Sequence, residues 1–339
     1  MRVRPLRLRP GGPASRRFGT ALVAVVAAVA ALTSGCVQGE GGGEADGSDI
    51  RLDYAYYNPL SLVVRDQKLL ENAGHSVTWI LSAGSNKANE NLRAEAIDIG
   101  STAGSAALLA RANNTPIKVV SLYSKPEWAA LVVPQDSAVR SVAQLRGQKI
   151  AATKGTDPYF FLLQALGTAG LTGKDVDIVN IQHADGKTAL ERGSVAAWAG
   201  LDPHMAQSRQ EGKSRLVYRN PDFNTYGTLN AREDFLTEHP DRAQAVVDAY
   251  EQARVWALAH PAELAALLAR EAGITPQIAA EQVERTVLDN DPVPGPELHA
   301  VLARVIPIIV ADGSVRSQQD ATAALESLFD PQFATKATV

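Results

Sequence analysis

Short apolar runs alternate with amphipathic stretches from residue 51 onward, and this alternation constrains the fold more than any other feature of the chain. The strand-like runs occupy residues 77–81, 97–100, 117–122, 129–133, 149–152, 178–181 and 215–218. Helical spacing of apolar residues recurs between these runs and dominates from residue 235 onward. Alternating strands and helices predict an α/β fold with open sheets.

Loops rich in Gly, Ser and Thr follow three of the predicted strands, and each leads directly into a predicted helix. They are residues 82–86, 100–105 and 154–157. Helix N-termini present unpaired N–H groups and the positive end of the helix dipole, and glycine permits close backbone approach. In open α/β sheets such loops lie at the carboxyl ends of strands, where ligands bind. The loops indicate an anion site, although ordinary N-capping also accounts for any single one of them.

The first 35 residues differ from the rest of the chain in charge and hydropathy. They hold six arginines and no acidic residue, and residues 20–32 form an apolar segment too short to span a bilayer comfortably. This pattern is typical of a secretory signal. Small residues precede Cys36, as in bacterial lipoprotein signals, so we expect cleavage there and a lipid anchor on Cys36. A plain signal peptide or a free buried thiol is the alternative. The Gly-rich residues 36–49 predict a flexible tether.

Composition argues against several classes of function. Beyond the predicted signal, 27 basic and 37 acidic residues give a formal charge of −10, which disfavours nucleic acid as a partner. Cys36 is the only cysteine and the six histidines are scattered, so we expect no disulfide and no metal site. The chain lacks the phosphate-binding loop motif, a well-placed dinucleotide motif and the hydrolase nucleophile elbow. We therefore expect no cofactor and no catalytic residue.

Six segments carry a resemblance to a known family when they are taken in order. They are residues 56–60, 82–87, 98–104, 126–128, 142–151 and 197–203. Together they resemble the substrate-binding proteins of ABC importers for aliphatic sulfonates. The wider group also takes taurine, nitrate and thiamine-pyrimidine precursors. The resemblance covers about residues 51–335.

The resemblance implies a two-lobed type II periplasmic-binding-protein fold with a ligand cleft between the lobes. Lobe 1 would comprise residues 50–133 and 227–339, and lobe 2 residues 134–226, with the chain crossing near residues 132–134 and 225–229. It also implies an extracytoplasmic monomer, held at the cell membrane by its lipid, that delivers its ligand to an ABC permease coupled to a cytoplasmic ATPase.

The resemblance and the loops together imply a set of ligand-binding residues. These are Tyr57, Asn58, Gly84, Ser85, Asn86, Ser101, Thr102, Trp128, Gly155, Thr156, Tyr159, Trp198 and Asp202. N–H and hydroxyl groups of the loop residues suit a fully ionised oxyanion that only accepts hydrogen bonds. The four aromatic residues would line the apolar part of the ligand, with core packing as the alternative reading. Asp202 and Glu127 would select a ligand amine, unless Asp202 only turns the chain.

The function implied is that of a non-catalytic receptor for a small organic anion, above all an aliphatic sulfonate. Taurine, nitrate or a thiamine-pyrimidine precursor is the alternative ligand. Residues 193–198 lack both acids of the Gly-Asp-Val-Asp-Ala-Trp segment common in the family, with Ser194 and Ala196 in their place, which leaves the ligand open. A desulfinase-like enzyme on the same fold would need a nucleophilic cysteine or a histidine set in the cleft, and the only cysteine precedes the folded part.

Overall fold

Eleven strands in two sheets form the framework of the computed structural model, which describes residues 49–339. The strands are β1 (Asp49–Tyr54), β2 (Ser76–Leu81), β3 (Ile99–Ala103), β4 (Ile117–Pro126), β5 (Ala129–Pro134), β6 (Lys149–Ala152), β7 (Asp177–Asn180), β8 (Ala197–Leu201), β9 (Ser214–Tyr218), β10 (Gly227–Arg232) and β11 (Thr286–Val287). The predicted α/β fold with open sheets is confirmed. The predicted signal segment, the Cys36 anchor and the tether up to residue 48 lie outside the described residues.

Fourteen helices connect and cover the strands within residues 49–339. Those that precede β10 are α1 (Pro59–Asp66), α2 (Leu69–Asn72), α3 (Ser85–Arg93), α4 (Gly104–Ala112), α5 (Asp157–Thr168), α6 (His183–Glu191) and α7 (His204–Gln210). Those that follow it are α8 (Glu233–Glu238), α9 (Pro240–Ala259), α10 (Pro261–Ala272), α11 (Pro276–Glu284), α12 (Pro296–Ala311), α13 (Gln318–Glu326) and α14 (Gln332–Thr335). Each of these helices is too short or too polar to cross a bilayer.

The two sheets repeat one topology. The first sheet has the order β2-β1-β3-β10-β4-β11, and the second has the order β7-β6-β8-β5-β9. In the first sheet β1 pairs in parallel with β2 and β3, and in the second β6 pairs in parallel with β7 and β8. An antiparallel strand, β10 or β5, follows the third parallel strand in each sheet. Each sheet therefore gathers the carboxyl ends of three strands at one edge, where ligands bind in open α/β sheets.

The chain changes sheet twice. It leaves the first sheet between Pro126 and Ala129, and it returns between Tyr218 and Gly227. The outward crossing lies earlier than the expected residues 132–134, because β5 pairs with β8 and β9 of the second sheet along its whole length.

Strand β3 extends further than the sequence suggests. The predicted strand covers residues 97–100 and the predicted loop begins at Ser101, yet β3 runs from Ile99 to Ala103. Leu229 and Thr228 of β10 lie opposite Ser101 and Thr102 and continue the ladder. A partner more than 120 residues away along the chain thus keeps this polar segment extended.

The helices that follow β10 pack against helices that belong to both sheets. Helix α9 contacts α1, α10 and strand β4, whereas α12 contacts α4 of the first sheet and α5 of the second. The sequence predicts this helical C-terminal region correctly. Helix α12 carries Leu298, Leu302 and Val305 on its buried face, at the three- and four-residue spacing expected of an amphipathic helix.

Candidate functional site

Three loops at the carboxyl ends of parallel strands form the candidate site, which we call the cleft. Residues 82–86 follow β2, residues 153–156 follow β6 and residues 181–183 follow β7. The first loop belongs to the six-stranded sheet and the other two to the five-stranded sheet.

The loops of the two sheets lie in close contact across the cleft. A Cβ atom placed on Gly155 would lie 3.8 Å from Cβ of Asn86. A Cβ atom placed on Gly84 would lie 2.8 Å from Oδ1 of Asn86 and 3.1 Å from Nε2 of His183. Glycine at position 84 therefore lets the first sheet's loop approach His183 of the second sheet more closely than a residue with a side chain could without a shift of its neighbours.

Two helices begin at the cleft, one from each sheet. Helix α3 starts at Ser85 with Gly84 as its N-cap, and α5 starts at Asp157 with Thr156 as its N-cap. N–H groups in the first turn of a helix have no acceptor within that helix, and the helix dipole places positive charge there. Gly155 has φ +77°, a left-handed conformation that favours glycine, and it sets the backbone just before α5. The arrangement suits an anion without requiring a lysine or arginine.

Five of the predicted ligand-binding residues come together in the cleft: Gly84, Ser85, Asn86, Gly155 and Thr156. The Ser85 hydroxyl oxygen accepts a hydrogen bond from the N–H of Ala103 at 3.0 Å and keeps its own proton to donate. The Thr156 hydroxyl donates to the carbonyl of Thr153 at 2.6 Å. Main-chain N–H groups and the Ser85 hydroxyl are thus the donors that this region offers to an anion.

Ser101 and Thr102 lie within β3 and find their partners inside the protein. The N–H and hydroxyl of Ser101 both donate to Oδ1 of Asp53, at 2.8 and 3.0 Å. Oγ1 of Thr102 accepts from the side-chain amide of Asn230 at 2.7 Å. Both are fully buried, and their predicted role toward a ligand stays a prediction.

Tyr57 and Trp128 pack edge to face beside the point where the chain leaves the first sheet. Their ring centroids are 5.9 Å apart and their planes are inclined by 85°. The Tyr57 hydroxyl donates to the carbonyl of Ser101 at 2.8 Å, and the neighbouring Asn58 caps α1 and donates to the Tyr250 hydroxyl at 3.2 Å. Tyr57 and Trp128 are 5% and 4% exposed, so both contribute to the core.

The other two predicted aromatic residues point to different surroundings. The Tyr159 hydroxyl donates to Oδ1 of Asp312, beyond the end of α12, at 2.6 Å. Trp198 is 1% exposed and packs in a small cluster with Val132 and Met205. The four aromatic residues therefore do not form one wall.

Asp202 and Glu127, the predicted amine selectors, are each paired with an arginine. The Asp202 carboxylate contacts Nη2 of Arg285 at 2.7 Å and accepts from the N–H of Ala206. Burial raises the pKa of Asp202 to about 6, and Arg285 opposes that shift. Glu127 accepts two hydrogen bonds from Arg219, both at 2.7 Å. Glu127 is thus fully engaged by Arg219, whereas Oδ2 of Asp202 lies beside Arg285 without a hydrogen-bond partner among residues 49–339.

Asp157 organises the boundary between the sheets, a role that the sequence did not reveal. Its carboxylate accepts from the Ser105 hydroxyl at 2.6 Å and the Trp128 indole N–H at 2.8 Å. It also accepts from the N–H and the hydroxyl of Thr225, both at 2.8 Å. Burial raises the pKa of Asp157, and these four hydrogen bonds act against the rise. The sequence indicates only a helix start at residues 157–158.

His183 is the second residue that sequence reasoning missed. It is 1% exposed at the start of α6, and its Nδ1 lies 3.2 Å from Oγ1 of Thr153. Nε2 has no hydrogen-bond partner among residues 49–339. Burial lowers the pKa of His183 to about 3, with a further contribution from His204, so the ring is neutral near pH 7. The residues before His183, Ile181 and Gln182, are neither glycine nor serine nor threonine, so their composition does not indicate a binding loop.

Asp53 lies beneath the first sheet's edge, near the end of β1. Burial raises its pKa to about 7, and hydrogen bonds from Ser101 act against that shift.

In the part of the chain that the structure describes, no group of three or more His, Cys, Asp or Glu side chains is arranged to hold a metal ion.

Similarity to curated proteins covers most of the chain. A relative from Bacillus subtilis (strain 168) is 26% identical over 323 residues, which is 92% of this chain and 90% of the relative. A second, from Escherichia coli (strain K12), is 25% identical over 245 residues, 71% of this chain and 77% of the relative. Both bear the name "Putative aliphatic sulfonates-binding protein".

Solved structures share the fold. The alkanesulfonate-binding protein SsuA from Xanthomonas axonopodis pv. citri, bound to MOPS, aligns with a TM-score of 0.75 at 22% identity, covering 83% of this chain and 98% of that one. The desulfurization enzyme DszB also aligns, with a TM-score of 0.63 at 15% identity, covering 85% and 98% of the two chains. The fold is that of periplasmic binding proteins, as the resemblance implied, and it occurs in both receptors and enzymes.

The family follows from a match that spans more than half of the chain. The family model described as NMT1/THI5 like matches residues 63–264, which include every loop of the cleft. This protein belongs to the NMT1/THI5-like family.

Proposed function

We propose that this protein is the extracytoplasmic substrate-binding component of an ABC importer and that it binds a small organic anion, an aliphatic sulfonate. The observation that carries the proposal is the pair of helix N-termini, of α3 and α5, that meet across the cleft. The names and the coverage of the two curated relatives support the same ligand class.

The chemistry of a sulfonate matches the donors of the cleft. A sulfonate is fully ionised and its three oxygens only accept hydrogen bonds. First-turn N–H groups of α3 and α5 and the Ser85 hydroxyl are donors, and the two dipoles favour negative charge. They also offset the formal charge of −10 carried by residues 36–339, whose overall field does not attract anions.

The remaining parts of the proposal concern location and partners. The arginine-rich apolar leader and the small residues before Cys36 support export and lipid attachment at the outer face of the cell membrane. A receptor in that position would act as a monomer and deliver its ligand to an ABC permease coupled to a cytoplasmic ATPase. Mass spectrometry of the membrane-extracted protein tests the anchor: a diacylated Cys36 peptide is expected, and an unmodified one contradicts it.

A non-catalytic role is part of the proposal. DszB shows that the fold also occurs in an enzyme. The only cysteine of this chain is Cys36, which precedes the folded residues, so the cleft has no thiol nucleophile. Incubation with an aromatic sulfinate should release no sulfite, and turnover would overturn this part of the proposal.

Isothermal titration calorimetry tests the ligand class. The purified protein is titrated with ethanesulfonate, 2-hydroxyethanesulfonate, taurine, nitrate and hydroxymethylpyrimidine. Binding of at least one sulfonate, tighter than nitrate and the pyrimidine, is the expected result. The absence of binding by every sulfonate would refute the proposal. Binding of nitrate or the pyrimidine instead would establish the corresponding alternative.

A further inference from the structure

The hydrogen bonds of Thr153 determine which nitrogen of His183 carries the proton. Thr153 has one hydroxyl proton, and it donates that proton to the carbonyl of Ile181 at 2.7 Å. Its oxygen can therefore only accept from His183, whose Nδ1 lies 3.2 Å away. Nδ1 of the neutral ring carries the proton, and Nε2 presents a bare lone pair. His183 is thus an acceptor at Nε2.

A second buried acceptor lies beside the first. Oδ1 of Asn86 has no hydrogen-bond partner among residues 49–339, like Nε2 of His183. Both atoms lie within 3.1 Å of the same point, the position of a Cβ on Gly84. They are therefore neighbours, although Asn86 belongs to the first sheet and His183 to the second. Sixteen buried side-chain atoms lack a partner among residues 49–339, and these two lie together where the loops of the two sheets meet. A donor placed between them would satisfy both.

A sulfonate cannot supply that donor. Its oxygens are acceptors, and an acceptor placed against Nε2 or Oδ1 would be repelled rather than bound. Asp202 and Glu127, the carboxylates considered for an amine, lie in ion pairs with Arg285 and Arg219. The cleft therefore has two unlike parts: N–H donors at the helix starts, and acceptors at His183 and Asn86.

We propose that His183, with Asn86 beside it, is the specificity-determining acceptor of the cleft, and that the ligand carries an N–H or O–H group in addition to its anionic end. This inference rests on the proposed function and narrows it to hydroxy- or amino-substituted sulfonates. An unsubstituted alkanesulfonate would leave both acceptors unsatisfied, and a buried group without its partner discriminates strongly between otherwise similar ligands.

Calorimetry with matched ligands tests the inference. The wild-type protein should bind 2-hydroxyethanesulfonate or taurine about tenfold or more tightly than ethanesulfonate. His183→Phe keeps a planar ring without an acceptor and should bring that ratio close to one. His260→Phe is the matched control, since His260 stacks on Trp256 and leaves the ratio unchanged.

The outcomes separate this inference from the function on which it rests. If no sulfonate binds, the proposed function fails and the inference fails with it. If ethanesulfonate binds as tightly as both substituted ligands, or if His183→Phe leaves the ratio unchanged, only the inference fails.

A measurement on the wild-type protein serves if His183→Phe does not fold. Nitrogen-15 NMR of labelled histidine should show the proton on Nδ1, and addition of 2-hydroxyethanesulfonate should shift the Nε2 resonance in the direction of an accepted hydrogen bond. A proton on Nε2 in the free protein would overturn the inference, and so would an Nε2 resonance that the ligand does not change.

Discussion

Two buried polar clusters lie at the meeting edges of the sheets, and they differ in how completely their hydrogen bonds are made. The Asp157 carboxylate accepts four hydrogen bonds, from Ser105, Trp128 and Thr225. The His183 ring uses one nitrogen and leaves the other without a partner among the described residues. Both side chains are about 1% exposed, so burial alone does not distinguish them. The complete set of partners at Asp157 indicates a structural role, whereas the bare Nε2 of His183 lies where the two loops meet and is the acceptor that we propose for a ligand.

The largest effect is expected from Asp157→Asn. One carboxylate oxygen would become an NH₂ group, which faces the N–H and O–H groups that now donate to Asp157. The substitution would also remove a negative charge near the start of α5. We expect a loss of about 3 kcal/mol in the free energy of unfolding, measured by urea denaturation. Asp175→Asn is the control, because Asp175 lies at an exposed turn. Equal losses for the two variants would contradict the structural role of Asp157.

A second substitution should affect binding more than stability. In Gly84→Ala the new Cβ would lie 2.8 Å from Asn86 and 3.1 Å from His183, so the two loops could not approach as closely. The backbone itself is extended at Gly84, with φ 170°, and accepts alanine without strain. We expect about a tenfold or greater loss of sulfonate affinity, measured by calorimetry. Gly167→Ala in α5 is the control, since nothing lies within 4 Å of its Cβ position. Unchanged affinity in Gly84→Ala would show that contact between these loops is not needed for binding.

The smallest effect concerns pH and the protonation of His183. Its pKa is about 3 in the folded protein and 6.5 ordinarily, so below pH 6.5 only the unfolded chain gains the proton, and stability falls as pH is lowered. Asp53 acts in the opposite sense, because its pKa is about 7 in the folded protein and 3.8 ordinarily. Between these pH values Asp53 is protonated in the folded protein and ionised in the unfolded chain, so stability falls as pH rises. Each contributes up to about 1.4 kcal/mol per pH unit, and the two oppose each other between pH 4 and 6.5.

Denaturation midpoints at pH 4.5 and 6.5 separate the two groups. Between pH 6.5 and 4.5, the denaturation midpoint of His183→Phe should fall less than that of the wild type. The midpoint of Asp53→Asn should fall more than that of the wild type. Parallel pH dependences for the wild type and His183→Phe would contradict a neutral, buried His183.

The sequence predicts the fold class and two of the three cleft loops because their signals are local. Glycine, serine and threonine between a strand and a helix mark residues 82–86 and 154–157 without reference to the rest of the chain. Ser101 and Thr102 have the same composition but lie in a strand, since β10 pairs with them from a distant part of the chain. Composition cannot report that pairing.

The same limit explains the missed residues of the site. A lone histidine preceded by Ile181 and Gln182 gives no local signal, and His183 becomes informative only when Thr153 and Gly84 are placed around it. For Tyr159 and Trp198 the sequence gives a signal, but the structure gives each side chain a different surrounding. Their position in motifs predicts contact with a ligand, whereas Tyr159 bonds to Asp312 and Trp198 packs in a small apolar cluster.

The position of Asp157 has a mechanical consequence. Trp128 directly precedes β5, and Thr225 lies two residues before β10. Both segments in which the chain crosses between the sheets therefore donate hydrogen bonds to the Asp157 carboxylate. A rotation of one sheet against the other would have its axis near this carboxylate, since displacement there would break four bonds at once. The cleft loop that contains Gly155 ends at Thr156, next to Asp157, so this axis would lie at one side of the cleft. Any such rotation would keep the four hydrogen bonds of Asp157 only if both crossing segments of the chain turned about this carboxylate.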